Sequence, residues 1–420
     1  MPLLASLPLF VLLALAVGSM VYYGVVWGRI VGTTRRVPTA RAGLNLPAPE
    51  SGWPRVCVVV PAHNEETVIA HLARSLAAQD YPNFSVVFAL DRCTDQTEQT
   101  ITQALAPAGK LDERFEIVRI AHCPDGWAGK THAAWRGVQD SRGPRSADFL
   151  LFTDADTIFD PSLIRSAVAL ALQRGIGLLS LLSELTCEGW WERLVQPATG
   201  FELIRQHPLD MVNREHRPRA FANGQFMLFR RADYERLGGH EAVRHELLED
   251  IAFARKAEAD RRTSNMRWAV LMPGRLGPDA PGLLRCRMYP TWEGFVRGWK
   301  RIYTESSLRR PSQLSEWAWR SRLMGAVLPV SALGCVLAGP VVFAAGDRPL
   351  GLALTWVGAL SWSITMGCLA RVYRDQGVPE RWALAYPAGA WLTARILSSA
   401  ADDLRAGRKT VWGGKEYART

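Results

Sequence analysis

The chain has 420 residues, 48% of them hydrophobic, and its 50 Lys and Arg against 40 Asp and Glu give a formal net charge of +10. That length holds one large catalytic domain with accessory segments, and the apolar residues crowd the two ends, which argues against a polytopic transporter and for a soluble domain bolted to membrane segments. The basic excess suits anionic headgroups or a phosphorylated ligand; without zinc-finger spacing, an RNA-binding signature or a long Lys/Arg block, nucleic acid is not an expected partner.

The run from Pro2 to Trp27 is apolar and uncharged, longer than the roughly 20 residues that cross a bilayer. A cleaved signal peptide would carry a basic start and a shorter apolar stretch. Here Arg29, Arg35, Arg36 and Arg41 follow the run, so the positive-inside rule puts the N-terminus outside and the next domain in the cytosol. The expected organisation is an anchor over 1–28, a linker over 29–54 and a catalytic domain over 55–305. Four prolines between Val37 and Pro54 mark the linker.

Apolar runs then predict strands over 55–60, 85–90, 115–120 and 148–152, ending respectively at Pro61, Asp91, just before His122, and at Thr153-Asp154. Between the first two, Val68, Leu72 and Leu76 give helical spacing within 65–79, and 130–139 reads as a second helix. Strands alternating with helices predict an α/β fold with a doubly wound, mainly parallel sheet. Ligands bind at the carboxyl ends of the strands in such sheets.

Past an interfacial connection over 306–322, the region 323–404 is expected to hold membrane helices. Met324–Ala345 and Leu350–Ala370 are candidate spans joined tightly by Gly346-Asp347-Arg348-Pro349. Trp382–Ala401 is a weaker candidate because Arg395 is costly inside a bilayer. If it crossed, the basic tail over 405–420 would lie outside, so it is read as interfacial or re-entrant and the tail as cytosolic. The seven cysteines contain no C-x-x-C pair, and two of them, Cys335 and Cys368, lie in apolar runs; they read as free thiols in a reducing compartment.

The chemistry gathers after the strands. Asp154 and Asp156 form a D-x-D pair at the end of an apolar strand. Hard carboxylate oxygens suit Mg²⁺ or Mn²⁺ shared with substrate phosphates. A D-x-D alone is more readily a solvated loop, since so short a pattern recurs by chance; the buried strand before it is what favours the metal. Lys130 opens a helix, a setting that suits a phosphate, although a helix-start lysine needs no ligand. Asp91 and Asp95 can accept from a base or ribose, or can make an Asx turn. Asp250, beside Glu249, is the candidate general base for a sugar hydroxyl, but two acids also favour a helix start.

Taken in order, these residues resemble the family 2 inverting glycosyltransferases of GT-A fold. Val58–Glu66 looks like the opening strand and nucleotide loop, Asp91–Asp95 like the D-x-S-x-D element, and Gly129-Lys130 with Ala133-Ala134 like the G-K-x-x-A helix. Thr153–Asp156 resembles the metal motif and Glu249-Asp250 the E-D pair. Asn223-Gly224-Gln225, Gly238-Gly239-His240-Glu241, Arg287-Met288-Tyr289 and the tail Val411–Tyr417 look closest to bacterial lipid glycosyltransferases, such as the carotenoid- and hopanoid-associated ones.

The resemblance implies a Rossmann-like GT-A domain flanked by transmembrane helices in a bacterial inner membrane. It implies a UDP-sugar donor, held by Pro61, His63, Glu65, Asp91, Lys130, Asp154, Gly224 and Gln225. Asp156 with Asp154 would hold Mn²⁺ or Mg²⁺, and Asp250 with Glu249 would catalyse single-sugar transfer to a lipid or membrane-bound acceptor. Arg297, Trp299 and Lys300 are the candidates for acceptor or diphosphate, although an amphipathic interfacial segment would look the same. Processive synthases carry Q-x-x-R-W where Arg297-Gly298-Trp299-Lys300-Arg301 stands here, and Arg92-Cys93 replaces the small residues usual in the second motif. A processive polysaccharide synthase subunit, which needs more crossings for a channel, and a non-catalytic sugar-nucleotide binder are the alternatives. A nucleotidyltransferase would want a Gly-rich loop after the first strand.

Overall fold

Every residue of strand β1 (Val56–Ala62) is buried, because the strand lies at the centre of a sheet covered on both faces. Val56, Val58 and Val60 enter one hydrophobic core, packed with Ile69, Leu72 and Leu170. Cys57 and Val59 enter the other, with Ala133, Leu150 and Phe253. Alternation of side chains along a strand thus feeds two cores, and a strand buried on both faces reads as a continuous apolar run. The computed structural model describes residues 3–106, 113–214, 218–264, 266–276, 280–289, 291–412 and 415–417; Pro2, Gly413, Gly414 and the last three tail positions named above lie outside these.

In chain order the further strands are β2 (Phe84–Asp91), β3 (Phe115–Ile120), β4 (Phe149–Phe152), β5 (Thr157–Phe159), β6 (Leu178–Leu181), β7 (Glu184–Leu185), β8 (Met227–Arg230), β9 (Trp268–Leu271) and β10 (Leu284–Cys286). The main sheet has the order β3-β2-β1-β4-β8-β6-β9. Pairs β1/β2, β2/β3, β1/β4 and β6/β9 are parallel, while β8 runs antiparallel to β4 and β6. The first four strands are those expected, and the α/β architecture with a mainly parallel sheet is as expected. The helices fall at Ile69–Ala77 and Gly129–Gln139, the first shorter than the 65–79 predicted. The second lies hard on the sheet: a Cβ on Gly137 would stand 2.8 Å from Val59 Cγ1.

Two features were not anticipated. Antiparallel β8 sets Met227 opposite Phe152, which brings the 223–225 turn beside the end of β4; there the Thr153 hydroxyl donates to Gln225 O at 2.8 Å. A small second sheet, β5-β10-β7, pairs Cys286 with Thr157, and Arg287 N–H donates to Asp156 O at 2.9 Å. Both fix the loop that carries the D-x-D pair.

Among the described residues, three helices are long and apolar enough to cross a membrane: Leu7–Arg36, Pro311–Ala344 and Arg348–Asp375. They present apolar side chains outward, such as Val25 at 59% exposure, Val341 at 68% and Trp356 at 70%. Between themselves they pack closely: a Cβ on Gly351 would lie 2.5 Å from Phe343 N, and one on Gly358 would lie 2.7 Å from Cys335 Cβ. Small residues at contacts are how helices associate where no hydrophobic drive exists. The first helix joins them through Ser361 Oγ, which donates to Ala16 O at 2.8 Å.

The 306–322 connection is largely helical, and the boundary placed after 322 falls inside the continuous Pro311–Ala344 run. The Trp382–Ala401 segment forms a short 3₁₀ turn and the helix Tyr386–Arg405. Its face bearing Ile396, Leu397, Ala400 and Ala401 packs on Phe295, Tyr303 and Trp317, while Arg395 is exposed. This helix ties the sheet domain to the long apolar helices through the Trp190–Gln206, Trp292–Ser306 and Pro311–Arg320 helices.

Candidate active site

A cavity of 630 Å³ opens at the carboxyl ends of β1, β2 and β4. Pro61, His63 and Glu65 reach it from the turn after β1, Asp91 from the end of β2, and Asp154 and Asp156 from the turn after β4. Lys130 enters from the start of the Gly129–Gln139 helix, Gly224 and Gln225 from the turn before β8, and Glu249 and Asp250 from the first turn of the Glu249–Ser264 helix. Residues almost 200 positions apart thus share one wall, and Asp156 and Asp250 face the same space.

Lys130 is the hinge of the charge arrangement. Its Nζ lies 2.6 Å from Asp154 Oδ1 and 2.6 Å from Glu249 Oε1, and those carboxylates, with Asp250 behind them, hold the ammonium above its ordinary range despite burial. Asp250 is fixed by backbone donors: Gly224 N–H to Oδ2 at 2.7 Å and Ile251 N–H to Oδ1 at 2.7 Å. Burial, and then the Glu249 charge, push Asp250 up to about 6, while Lys130 and the two N–H groups pull against them.

Asp156 is pushed up to about 7 by burial and by the charge of Asp154, and Glu65 to about 8 by burial and then by Asp156, Asp154 and Asp95. Asp156 Oδ1 is buried without a hydrogen-bond partner among the described residues. An orphaned carboxylate oxygen in a cluster that raises its own pKa values is a site short of positive charge. No three His, Cys, Asp or Glu side chains stand together as a ligand set among the described residues. A hard divalent ion would therefore draw its remaining ligands from substrate phosphates and water, as Mg²⁺ commonly does. The donor set fits such an ion.

The turn after β1 and the end of β2 are already hydrogen-bonded to each other. His63 Nδ1 lies 2.6 Å from Asp91 O. The Asp91 carboxylate takes both Arg92 Nε at 3.0 Å and Nη2 at 2.6 Å; Arg92 itself has φ of 50°, in the region that small residues adopt most easily. Asp95 accepts from Thr97 N–H, the Thr97 hydroxyl and Glu66 N–H, which is the turn role. Gln225 is held by Ser183, Asn223 and Cys286, so it braces the wall with its amide.

On the far wall Arg297 lines the cavity and is exposed, but Lys300 is not among the lining residues. Its ammonium pairs with Asp403 of the Tyr386–Arg405 helix at 2.6 Å. Arg301 lines the cavity instead. Trp299 touches the cavity, yet it is only 2% exposed and packs between Phe295 and Tyr303; its main work is packing. Reading the sequence missed Cys286, whose thiol sits beside Asp156 and accepts from the Gln225 amide at 3.0 Å, and gave no role of its own to Asn223, whose amide donates to Leu181 O at 2.9 Å. It also missed a lining of Leu203, Ile204, Ile302, Asp375 and Gln376, the last two at the end of a candidate membrane span.

Residues 54–269 match the family described as "Glycosyltransferase like family 2". Over 201 residues the chain is 27% identical to a 4,4'-diaponeurosporenoate glycosyltransferase of Staphylococcus aureus (strain USA300), a match covering 46% of this chain and 49% of that one. The chain thus spans about half the length of the curated relatives it matches. Among solved structures, it aligns with a mannosyltransferase from Pyrobaculum calidifontis in complex with GDP-Man and Mn²⁺, at 18% identity and a TM-score of 0.43, over 94% of this chain and 97% of that one. It also aligns with the glucosyl-3-phosphoglycerate synthase of Mycobacterium tuberculosis in complex with Mn²⁺, UDP and phosphoglyceric acid, at 20% identity and a TM-score of 0.37, over 60% and 78%.

Proposed function

The chain belongs to the glycosyltransferase-like family 2, and from that premise we propose that it transfers a single sugar, with inversion, from a UDP-sugar to a lipid acceptor at the membrane. The observation that carries this reading is the meeting of Asp154, Asp156, Lys130 and Asp250 on one cavity, whose far side is lined by Leu203, Ile204 and the end of a candidate span. The curated relative is named for a diaponeurosporenoate acceptor, and an acceptor with a long apolar body suits that far side.

Asp156, with Asp154, would hold the Mn²⁺ or Mg²⁺. When bound, such an ion supplies neutralisation of the charge on the departing diphosphate. The base and ribose take the pocket rimmed by Pro61, His63 and Asp91. Asp250, aimed by Gly224 N–H and Ile251 N–H, accepts the proton of the acceptor hydroxyl as its oxygen attacks the anomeric carbon from the face opposite the leaving diphosphate. One displacement inverts that carbon, so an α-linked donor yields a β-glycoside. Glu249 holds Lys130, and Arg297 stands where it can meet the diphosphate or acceptor.

Three crossings put the catalytic domain and the tail on one side, with the 346–349 connection on the other. Arg29, Arg35 and Arg36 at the end of the first helix make that side the cytosol of a bacterial inner membrane. Confinement to the bilayer raises the effective concentration of a lipid acceptor. The test is incubation of the purified chain with labelled UDP-sugars, Mn²⁺ and bacterial lipid extract, followed by lipid-phase mass spectrometry. A mass gain of one hexose, absent with Asp250→Asn, is expected; label that stays wholly in the aqueous phase, or grows into polymer, contradicts the reading.

A further inference from the structure

We infer that Lys130 is a movable counter-ion: it competes with a divalent cation for Asp154, and the donor's diphosphate draws it away, so that metal and donor bind cooperatively. This rests on the reading of the site just given. The Lys130 ammonium bridges two carboxylates of unequal access. Glu249 is sealed, with its side chain 3% exposed, whereas Asp154 and Lys130 are each 30% exposed. The contact that opens to the cavity is therefore Lys130–Asp154, and the closed contact, Lys130–Glu249, can serve as the pivot.

Space and charge support the same motion. A Cβ on Gly224 would stand 2.9 Å from Lys130 Nζ, 3.2 Å from Asp250 Oδ2 and 3.3 Å from Glu249 Oε1, so the ammonium and both carboxylates converge on the one position without a side chain, and the accessible direction for the ammonium is the cavity side, where Asp154 lies. The ammonium repels a divalent ion approaching the D-x-D pair and also holds one of its oxygens. A diphosphate in the cavity offers Lys130 a new anionic partner at a helix start. Donor binding thus releases Asp154, and by linkage the ion tightens the donor by the same factor.

Mn²⁺ binding to the full chain in detergent, read from the free-ion electron paramagnetic resonance signal with and without UDP, tests this. For the wild type, UDP should tighten Mn²⁺ by more than about tenfold, within the range of couplings between sites. Lys130→Met and Lys130→Gln should bind Mn²⁺ alone about tenfold tighter than the wild type, with a smaller gain from UDP. Lys130→Arg, which keeps the charge, should stay close to the wild type. Unchanged or weaker affinity in both neutral variants, with UDP-dependent binding intact, overturns the inference alone. Loss of the folded state in both, seen as a missing thermal transition, makes Lys130 a fixed structural counter-ion and overturns it as well. Absence of Mn²⁺ binding in every form, even with UDP, overturns both the inference and the metal assignment beneath it.

Discussion

Gly224 donates its backbone N–H to Asp250 Oδ2 at 2.7 Å, and this bond aims the candidate base. A side chain at this position would crowd the site, since an added Cβ would stand 2.9 Å from Lys130 Nζ, 3.2 Å from Asp250 Oδ2 and 3.3 Å from Glu249 Oε1. Gly224→Ala is therefore expected to lower kcat about 100-fold, the scale of a 1 Å misplacement at a reacting centre, while the thermal transition stays in place. Initial rates and a melting curve on the same preparation check it.

Asp250→Asn keeps the shape and, with its one oxygen, the Gly224 bond; it loses the bond from Ile251 N–H and removes the basicity. Turnover should fall by roughly 10²–10⁴-fold, with UDP affinity unchanged because the proposed nucleotide pocket is on the β1 and β2 side of the cavity. Single-turnover transfer and UDP titration separate the two effects. Equal turnover in the variant removes Asp250 from the role of base.

The same carboxylate sets a pH limb. Asp250 titrates at about 6 because burial and the Glu249 charge raise it, and only the ionised form accepts a proton. As pH falls through about 6, kcat/KM, which reports the free enzyme, should fall tenfold per unit; above it, the profile should level off. The profile is measured at donor concentrations well below KM. A limb near the ordinary carboxylate range would contradict the stated environment.

Glu202, which does not itself line the cavity, makes a stability prediction. Its carboxylate is 4% exposed and meets Arg205 of its own helix and Arg320 of the Pro311–Arg320 helix, while Arg205 also reaches Tyr22 Oη of the first helix at 3.2 Å. Glu202→Ala leaves two inward guanidinium groups without their anion, a change that costs about 3–5 kcal/mol when a buried pair loses one member. A lower Tm in detergent, with the residual activity per folded molecule retained, is the expected result.

The parts of the site that were legible in the sequence are those set by local pattern. Apolar runs gave β1 to β4, and the residues just past them, Asp91, Asp154 and Asp156, fell on the ligand edge because every parallel strand delivers its carboxyl end there. The remainder depended on contacts far apart in the chain. Cys286 reaches Asp156 only because β10, three residues long, pairs with β5, and no periodicity marks so short a strand. Lys130 read as a phosphate ligand because Asp154 and Glu249, its partners, come from other elements. In 297–301 the helix phase decides: Phe295, Trp299 and Tyr303 repeat every four residues and form the buried stripe. Trp299 therefore packs, and Lys300 and Arg301, a third of a turn apart, leave on different sides.

The central claim is that acidic residues from separate strand ends gather one divalent ion and one sugar diphosphate. Crystals of the chain grown with Mn²⁺ and UDP, measured for anomalous scattering, address it directly. The account predicts one strong peak between the Asp156 carboxylate and the diphosphate, with Asp250 across the same cavity, and loss of that peak in Asp156→Asn. Bound UDP with no peak at Asp156, or a peak outside the cavity, would contradict it.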